Sequence, residues 1–479
     1  MDGAHDPPPE LRTSPVSHGR PTALVMKLGG TSVGGADRIE AAASLVASRL
    51  DEGPFVVVSA MAGVTDTLLA LSRAAREGRA EEVRAALQEI VARHREAIDA
   101  LGLGAGATAA LQEEVAREAA RLESLATGVG LLGELSARTS DAICAAGELL
   151  SSALVAAALE RRGVAAVRVD PRDWMATDGT HGAALPDEAA LARNAAARLL
   201  PERAAGRVVV TGGFVGAGPD GAATTLGRGG SDFSAALLGA ALRDAGADVS
   251  AIEIWTDVDG ILTSDPRIVA GARPVPLVGY AEAAELAFFG AKVLHPATIR
   301  PAVARGIPVR VRNTFRPGAA GTTIRAEAPG EGVRALAMRT GVAALFVGSP
   351  RMLLAHGFAA RVFSVFERRG VAVDVIATSE VSISITVDAR APIALLVRDL
   401  EELGEVSVLA DLAVVSVVGR RLRSTPRVAA RVFGALGDLN VVLISQGASE
   451  TNLTFVVEAK DGPEALRRLH RELFEKEAA

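Results

Sequence analysis

The sequence of 479 residues has a single cysteine, Cys144. That rules out a disulfide framework and fits a reducing compartment, so a cytoplasmic location is expected. It lacks an apolar run of the roughly 18 residues that a membrane-spanning helix needs, so no membrane span is expected. Positive charge is not in surplus: 51 Lys and Arg stand against 57 Asp and Glu, a net charge of −6. This balance argues against a sequence-independent nucleic-acid binder. The seven histidines show no metal-ligand spacing. Residues 1–20 carry His5, Pro7–Pro9 and Glu10 but no apolar segment behind a basic one. They read as a disordered tail and not as a signal peptide.

What is abundant is apolar and small. Residues of the apolar class make up 49% and glycine occurs 49 times, which indicates a globular chain of two or three domains. The stretch Thr224–Asp232 sets a cation (Arg228), two glycines (Gly229, Gly230), a hydroxyl (Ser231) and a carboxylate (Asp232) in front of an alanine-rich helical stretch. Free N–H groups and the helix dipole attract an anion there, and Arg228 can clamp a carboxylate or phosphate. A tight turn capped by Ser231 or Asp232 explains the same residues, so other stretches must decide.

Ala23–Lys27 reads as a buried strand running into Leu28-Gly29-Gly30-Thr31-Ser32, with a helix from about Ala36. The lysine precedes the glycines, so this is a phosphate cradle without being a P-loop. Lys27 is either a surface lysine or a group reaching into the mouth of an open α/β sheet. Phe55–Ser59 is a second strand, followed by a loop of small residues ending in Thr65 and Asp66, which read as helix caps. Residues 67–160 are helical in pattern, and near their end Glu148 lies among small apolar residues. A carboxylate there must be paired or neutralised. Cys144 in the same helix reads as a core residue, and His295, before Pro296, as a packed loop residue. Further strands are Val164–Val169, Val208–Thr211, Ala251–Trp255 and Val309–Arg312. Strands separated by helices predict a mostly parallel sheet covered on both faces, with the glycine loops along one edge.

Beyond a Gly- and Pro-rich linker the texture changes. Ala359-Ala360-Arg361-Val362-Phe363 recurs as Ala429-Ala430-Arg431-Val432-Phe433, 70 positions on, and Ser382–Val387 aligns with Asn452–Val457 at the same offset. Each copy reads strand, helix, strand, strand, helix and a further strand, the split βαβ pattern.

Five ordered blocks together carry a resemblance. They are K-L-G-G-T-S-V at Lys27–Val33, V-V-V-S-A-M-A-G-V-T at Val56–Thr65, T-L-G-R-G-G-S-D at Thr225–Asp232, W-T-D-V-D-G at Trp255–Gly260 and F-G-A-K-V-L-H-P at Phe289–Pro296. The chain resembles the aspartate kinases, and its C-terminal repeat resembles their tandem ACT domains. The run Ala372–Ser382 looks most like the lysine-sensitive monofunctional branch, and no room is expected for a fused homoserine dehydrogenase.

The resemblance implies a disordered tail at 1–20, an amino acid kinase domain of three layers around a mostly parallel sheet at 21–325, and two interleaved, ferredoxin-like α+β ACT domains at 333–479. The repeats would span about 340–405 and about 412–475. It implies ATP and Mg²⁺, L-aspartate as substrate, 4-phospho-L-aspartate as product, an early place in lysine, threonine and methionine biosynthesis, and L-lysine as feedback inhibitor. By the same resemblance Lys27 and Asp232 are catalytic. Thr65, Glu148, Arg228, Gly229, Gly230 and Ser231 bind substrate. Lys27, Gly29, Gly30, Thr256, Asp257, Leu262, Arg267, Lys292 and Val293 bind ATP, with Gly29 and Gly30 giving backbone donors. Met352, Phe358, Ala359, Asp374, Ser379 and Glu380 bind the effector. Leu262 stands where lysine-sensitive relatives usually have Tyr, Asp259 where Pro is frequent, and Ala355 where Ser is typical. No dedicated protein metal cage is expected. Pairing of exposed ACT sheet edges implies a homodimer or a dimer of dimers. A kinase acting on glutamate, N-acetylglutamate or a nucleotide is one alternative, and an amino-acid sensor without catalysis is another.

Overall fold

The structure, a computed structural model, describes residues 21–290, 294–349 and 356–476. It forms two compact units. One takes the described residues up to Gly260 with Leu294–Ala326, the other those of Ile261–Val293 and Glu327–Ala479.

In chain order the elements are β1 (Thr22–Leu28), α1 (Ala36–Ala47), β2 (Pro54–Val58), α2 (Val64–Arg76), α3 (Ala80–Ala100), α4 (Ala105–Leu132), α5 (Ala137–Arg161) and β3 (Ala166–Arg168). Then follow α6 (Glu188–Asn194), α7 (Leu200–Ala204), β4 (Val208–Gly212), the hairpin β5 (Val215–Ala217) and β6 (Ala223–Thr225), α8 (Gly230–Asp244) and β7 (Asp248–Thr256). The second unit takes β8 (Leu277–Gly279) and α9 (Tyr280–Phe288) before the chain returns with α10 (Pro296–Ala304), β9 (Val309–Asn313) and β10 (Thr322–Arg325).

The sheet of the first unit runs β3-β4-β2-β1-β7-β9-β10. All its neighbours are parallel except β9 and β10. Parallel strands are buried on both faces, which is why β1 and β2 read as unbroken apolar runs. Side chains alternate along β1. Leu24, Met26 and Leu28 enter the core shared with α1 to α5, whereas Lys27 turns to the side of α8. Register carries Leu28 level with Val58 and Trp255, Val58 level with Gly212, and Thr256 level with Asn313. The strand ends therefore line one edge, and so do the glycine loops that leave them. One helix, α5, is long and apolar enough to cross a membrane, yet most of it is buried inside the protein. It is the central core helix of this unit, and its buried face includes Asp141 and Glu148.

In the second unit the elements continue as β11 (Gly332–Gly348), α11 (Phe358–Arg368), β12 (Ile376–Thr378), β13 (Ser382–Asp388), α12 (Ile393–Glu401), β14 (Glu405–Arg420), α13 (Val428–Leu436), β15 (Leu443–Gln446), β16 (Asn452–Glu458) and α14 (Gly462–His470). One antiparallel sheet of order β12-β13-β11-β14-β16-β15 holds both repeats. The two long strands are shared. The second half of β11 pairs with β13 and with the first half of β14, and the first half of β11 pairs with the second half of β14. The further strand expected at the end of the second copy is thus supplied from ahead of the first copy, and after α14 the chain makes a π-helical turn at Arg471–Glu475.

The domain boundary read from the sequence needs one correction. Ile261–Val293 falls inside 21–325 but joins the second unit. Leu336 N–H donates to Thr263 O at 2.8 Å. The Thr263 hydroxyl meets His470 Nε2 at 2.9 Å, and Arg273 Nη2 donates to Phe474 O at 3.2 Å.

Candidate active site

Lys27 stands at the end of β1 and is buried. Its Nζ lies 2.7 Å from Asp232 Oδ1 in the first turn of α8. The helix begins earlier than the sequence suggests. Gly229, in the left-handed region at φ 72°, is the N-cap residue, so Gly230, Ser231 and Asp232 already belong to the first turn. No side chain caps this end, and Asp232 spends its carboxylate on Lys27. The capped-turn reading of Ser231 and Asp232 is therefore set aside.

A cavity of about 400 Å³ opens here, lined by Lys27, Gly30, Thr65, Glu148 and Arg228–Asp232, among others. Its walls are stitched loop to loop. Ser59 N–H donates to Leu28 O, Ala62 N–H to Gly30 O, and Gly213 N–H to Val58 O. Close approach requires glycine at two points. A β-carbon on Gly30 would stand 2.8 Å from Ala60 O, and one on Gly213 would stand 2.8 Å from Ser231 Cβ.

Glu148 is buried in the cavity wall and its Oε2 has no hydrogen-bond partner. Burial pushes its carboxyl up to about 8, against the opposing pull of the Ala60 backbone and the Lys27 charge. A buried oxygen without a donor, facing a cavity that also holds Arg228, is an acceptor waiting for a cation. Burial also raises Cys144, to about 11, which keeps that thiol protonated and agrees with a core role.

Three sequence expectations change. Gly29 does not offer a free donor, because its N–H is spent on Trp255 O at 2.9 Å. Gly30, the first residue of a 3-10 turn, keeps an N–H without an acceptor in that turn. Thr65 and Asp66 are not caps: Gly63 is the N-cap residue of α2, no side chain caps it, and both residues line the cavity. His295 is exposed at the start of α10 instead of packed.

The nucleotide positions are divided. Thr256 and Asp257 lie at the end of β7, where the Thr256 hydroxyl donates to Asp257 Oδ1 at 3.2 Å. Asp259 accepts from Asn313 Nδ2 at 2.7 Å and pairs with Arg316, so its acid has a structural use. Leu262 and Arg267 belong to the second unit, where Arg267 is exposed and paired with Asp265. Lys292 and Val293 lie outside the described residues.

Of the effector positions, Met352 lies outside the described residues, as does Ala355. Asp374 is ion-paired with Arg339, and burial raises its carboxyl while Arg339 opposes the rise. The Ser379 hydroxyl closes its own turn by accepting from Ser382 N–H at 3.1 Å, and Glu380 is exposed. Phe358 belongs to the core of the first repeat, with Ala359 exposed beside it.

Sequence reasoning missed Asp141, His181 and Phe214. Phe214 lines the cavity in the left-handed region, at φ 63°, its N–H held by Ser234 Oγ at 2.8 Å. An off-region residue beside a cavity marks a constrained site. No sequence pattern announces that conformation.

A lysine and acid pair at a parallel-strand end, glycine loops on both sides and a separate cation and carboxylate for an amino acid define a phosphotransferase class. The Amino acid kinase family model matches residues 22–313, and an ACT domain model matches 347–391 and 415–473. The chain is 39% identical over 466 residues to lysine-sensitive aspartokinase 3 of Escherichia coli, covering 94% of this chain and 99% of the relative. It is 37% identical to the chloroplastic aspartokinase 1 of Arabidopsis thaliana, covering 94% and 80%. The crystal structure of E. coli aspartokinase III with lysine and aspartate (T-state) matches with a TM-score of 0.79 over 94% of this chain and 99% of that one. The complex of that enzyme with aspartate and ADP (R-state) matches at 0.78, over 94% of this chain and 100% of that one. Both are 39% identical in sequence. The chain belongs to the aspartokinases, within the amino acid kinase family.

Proposed function

We propose that this chain transfers the γ-phosphoryl group of ATP to the side-chain carboxylate of L-aspartate, giving ADP and 4-phospho-L-aspartate. The observation that carries the reading is the single cavity that Lys27, Glu148, Arg228 and Asp232 share. The acceptor is already an anion, so it needs no general base. The difficulty is to bring two anions together, which calls for cations and fixed N–H donors. Arg228 grips the α-carboxylate, Glu148 takes the ammonium, and Thr65 adds a hydroxyl. That leaves the side-chain carboxylate aimed at the phosphoryl group held by Lys27 and the Gly30 amide, while Asp232 fixes the Lys27 ammonium.

Among the described residues no group of three or more His, Cys, Asp or Glu side chains could hold a metal ion. This suits an ion carried mainly by phosphate and water oxygens. Mg²⁺ would sit beside Asp232 and supply charge neutralisation to the polyphosphate.

Lysine is the proposed inhibitor, bound in the first repeat near Asp374 and Glu380 through differential affinity for two states. A homodimer through the edges of the ACT sheet is proposed as well. Ile444 on β15 and Val381 beside β13 are exposed apolar residues there, as an interface would use. The proposed location is the cytoplasm.

The test is ATP- and Mg²⁺-dependent acyl phosphate formation trapped with hydroxylamine. Aspartate, glutamate and N-acetylglutamate are compared, with and without lysine. Product with aspartate alone, suppressed by lysine, is expected. Equal product with glutamate or N-acetylglutamate, or none with any substrate, would reject the assignment.

A further inference from the structure

Helix α5 carries a second buried carboxylate, about two turns before Glu148. Asp141 is 3% exposed and accepts three hydrogen bonds. The Thr225 hydroxyl donates to Oδ1 at 2.5 Å, and Gly182 N–H donates to Oδ2 at 2.9 Å. His181 Nδ1 also lies 2.9 Å from Oδ2. Thr225 ends β6 and is followed by Leu226-Gly227-Arg228, the loop that presents the guanidinium to the cavity. The Thr225 carbonyl accepts Ala184 N–H at 2.9 Å, and Thr224 Oγ1 lies 2.9 Å from Thr177 Oγ1. Both residues at the entry to the loop are therefore tied to the segment around 177–184, and Thr225 is tied directly to α5. At its other end the loop enters α8, where Gly230 sits against Phe214.

We infer that Asp141 is a positioning residue for substrate recognition: through Thr225 it holds the Arg228 loop at a fixed distance from Glu148 on the same helix. The inference rests on the proposed aspartate site. It adds a reason for the geometry of that site, because the two groups that would grip the amino acid are both referenced to α5. A charged acceptor suits this task. Hydrogen bonds to an ionised carboxylate are about twice as strong as neutral ones, and a loop anchored by three of them resists displacement. Asp141 reaches neither the cavity nor a reacting atom, so its effect should appear in substrate binding and not in chemistry.

The experiment uses the full chain with Thr225→Val, Thr225→Ser and Asp141→Asn. Initial rates are measured against aspartate and, separately, against ATP. Thr225→Val removes the hydroxyl while keeping the shape. It is expected to raise the KM for aspartate about ten-fold, with kcat and the KM for ATP within about two-fold. Thr225→Ser restores the donor and should bring the KM back to within about two-fold of the parent. Asp141→Asn should raise the aspartate KM in the same direction, and the Asp141→Asn/Thr225→Val pair should add little to either single change. An unchanged aspartate KM in Thr225→Val, or equal losses in kcat and both KM values without rescue by serine, would overturn the inference. If Asp141→Asn does not fold, the Thr225 pair decides alone. A parent chain that forms no aspartyl phosphate would refute the proposed function instead, so the two failures are distinct.

Discussion

If Glu148 receives the substrate ammonium, aspartate binding must be linked to a proton. In the free enzyme burial holds its carboxyl up at about 8. At pH 7 only about one molecule in ten then carries the charge that an ammonium needs, and the apparent affinity falls by that fraction. This is a cost of about 1.4 kcal/mol at pH 7, one unit below the transition. Between pH 7 and pH 8 the charged fraction rises from about one tenth to one half, so the KM for aspartate should fall about five-fold. Binding should also expel a proton, about 0.9 per aspartate at pH 7 and about half at pH 8. Glu148→Gln removes both effects. At pH 8 it should weaken aspartate binding by about thirty-fold or more, the loss of a desolvated charge pair. The disadvantage shrinks about five-fold at pH 7, where the wild type is itself mostly neutral.

Titration calorimetry of aspartate in two buffers of unlike ionisation heat reads the proton directly. Buffer-independent heats and a KM flat from pH 6 to 8 would refute the reasoning, since Glu148 would then be charged before the substrate arrives or would not touch it. Stability gives an independent check. A carboxyl raised above its unfolded value of 4.5 makes the fold hold a proton that the unfolded chain has released. Stability is therefore lost as pH rises from about 4.5 through 8. Glu148→Gln without ligand should melt higher than wild type at pH 8, and the gap should close near pH 5.

Lys27→Ala should lower kcat on the order of a thousand-fold with the melting temperature within a few degrees, because the residue acts on developing charge at the cavity; kcat within ten-fold of wild type would remove it from the catalytic set. Asp232→Asn should follow Lys27→Ala in the same rate assay, since it unpairs the Lys27 ammonium. Gly30→Ala pushes a methyl group to 2.8 Å from Ala60 O. It should raise the KM for ATP more than that for aspartate, as measured by paired saturation curves. Asp374→Ala should relieve inhibition by lysine with kcat within about two-fold. It should also lower the melting temperature, because Arg339 is left without its acid.

The parts of the site that could be read from sequence were those whose chemistry is local. A lysine ending an apolar strand and a Gly-Gly pair before a helix both announce their roles by position. What could not be read depends on where distant segments meet. The Gly29 amide is lost to Trp255 O, a carbonyl on a neighbouring strand. Asp141 looks like one more acid in a helix until His181 and Thr225 arrive from two other segments. Glu253 is the same case within the sheet. Ala251–Trp255 reads as a buried strand and it is one, but Glu253 is fully buried only because Arg49, Arg310 and Arg312 converge on it from other elements. Burying that charge without them would be prohibitive.

The second unit shows why a repeat can be counted from sequence and still be joined in an unexpected order. The 70-residue offset finds both copies because each keeps its own strand-helix-strand-strand-helix run. It cannot find the outer strand of either, since that strand is the far half of the other copy's first strand. β11 and β14 are each continuous through this exchange, with register shifts near Thr340 and Val342 where one copy gives way to the other. Neither copy can close its sheet alone without leaving a row of unpaired N–H and C=O groups. The two repeats should therefore fold and melt as one body. A ligand that tilts one half of β11 acts on a strand whose other half is hydrogen-bonded into the second repeat. The segment 261–293 packs against that same repeat, through Thr263 on His470 and through Glu285, which accepts from Asn452 Nδ2 at 2.7 Å and Ser449 Oγ at 3.1 Å. Within this unit, bonded contacts thus run without a gap from the Asp374 region through the shared strands to the stretch that bears Leu262 and Arg267.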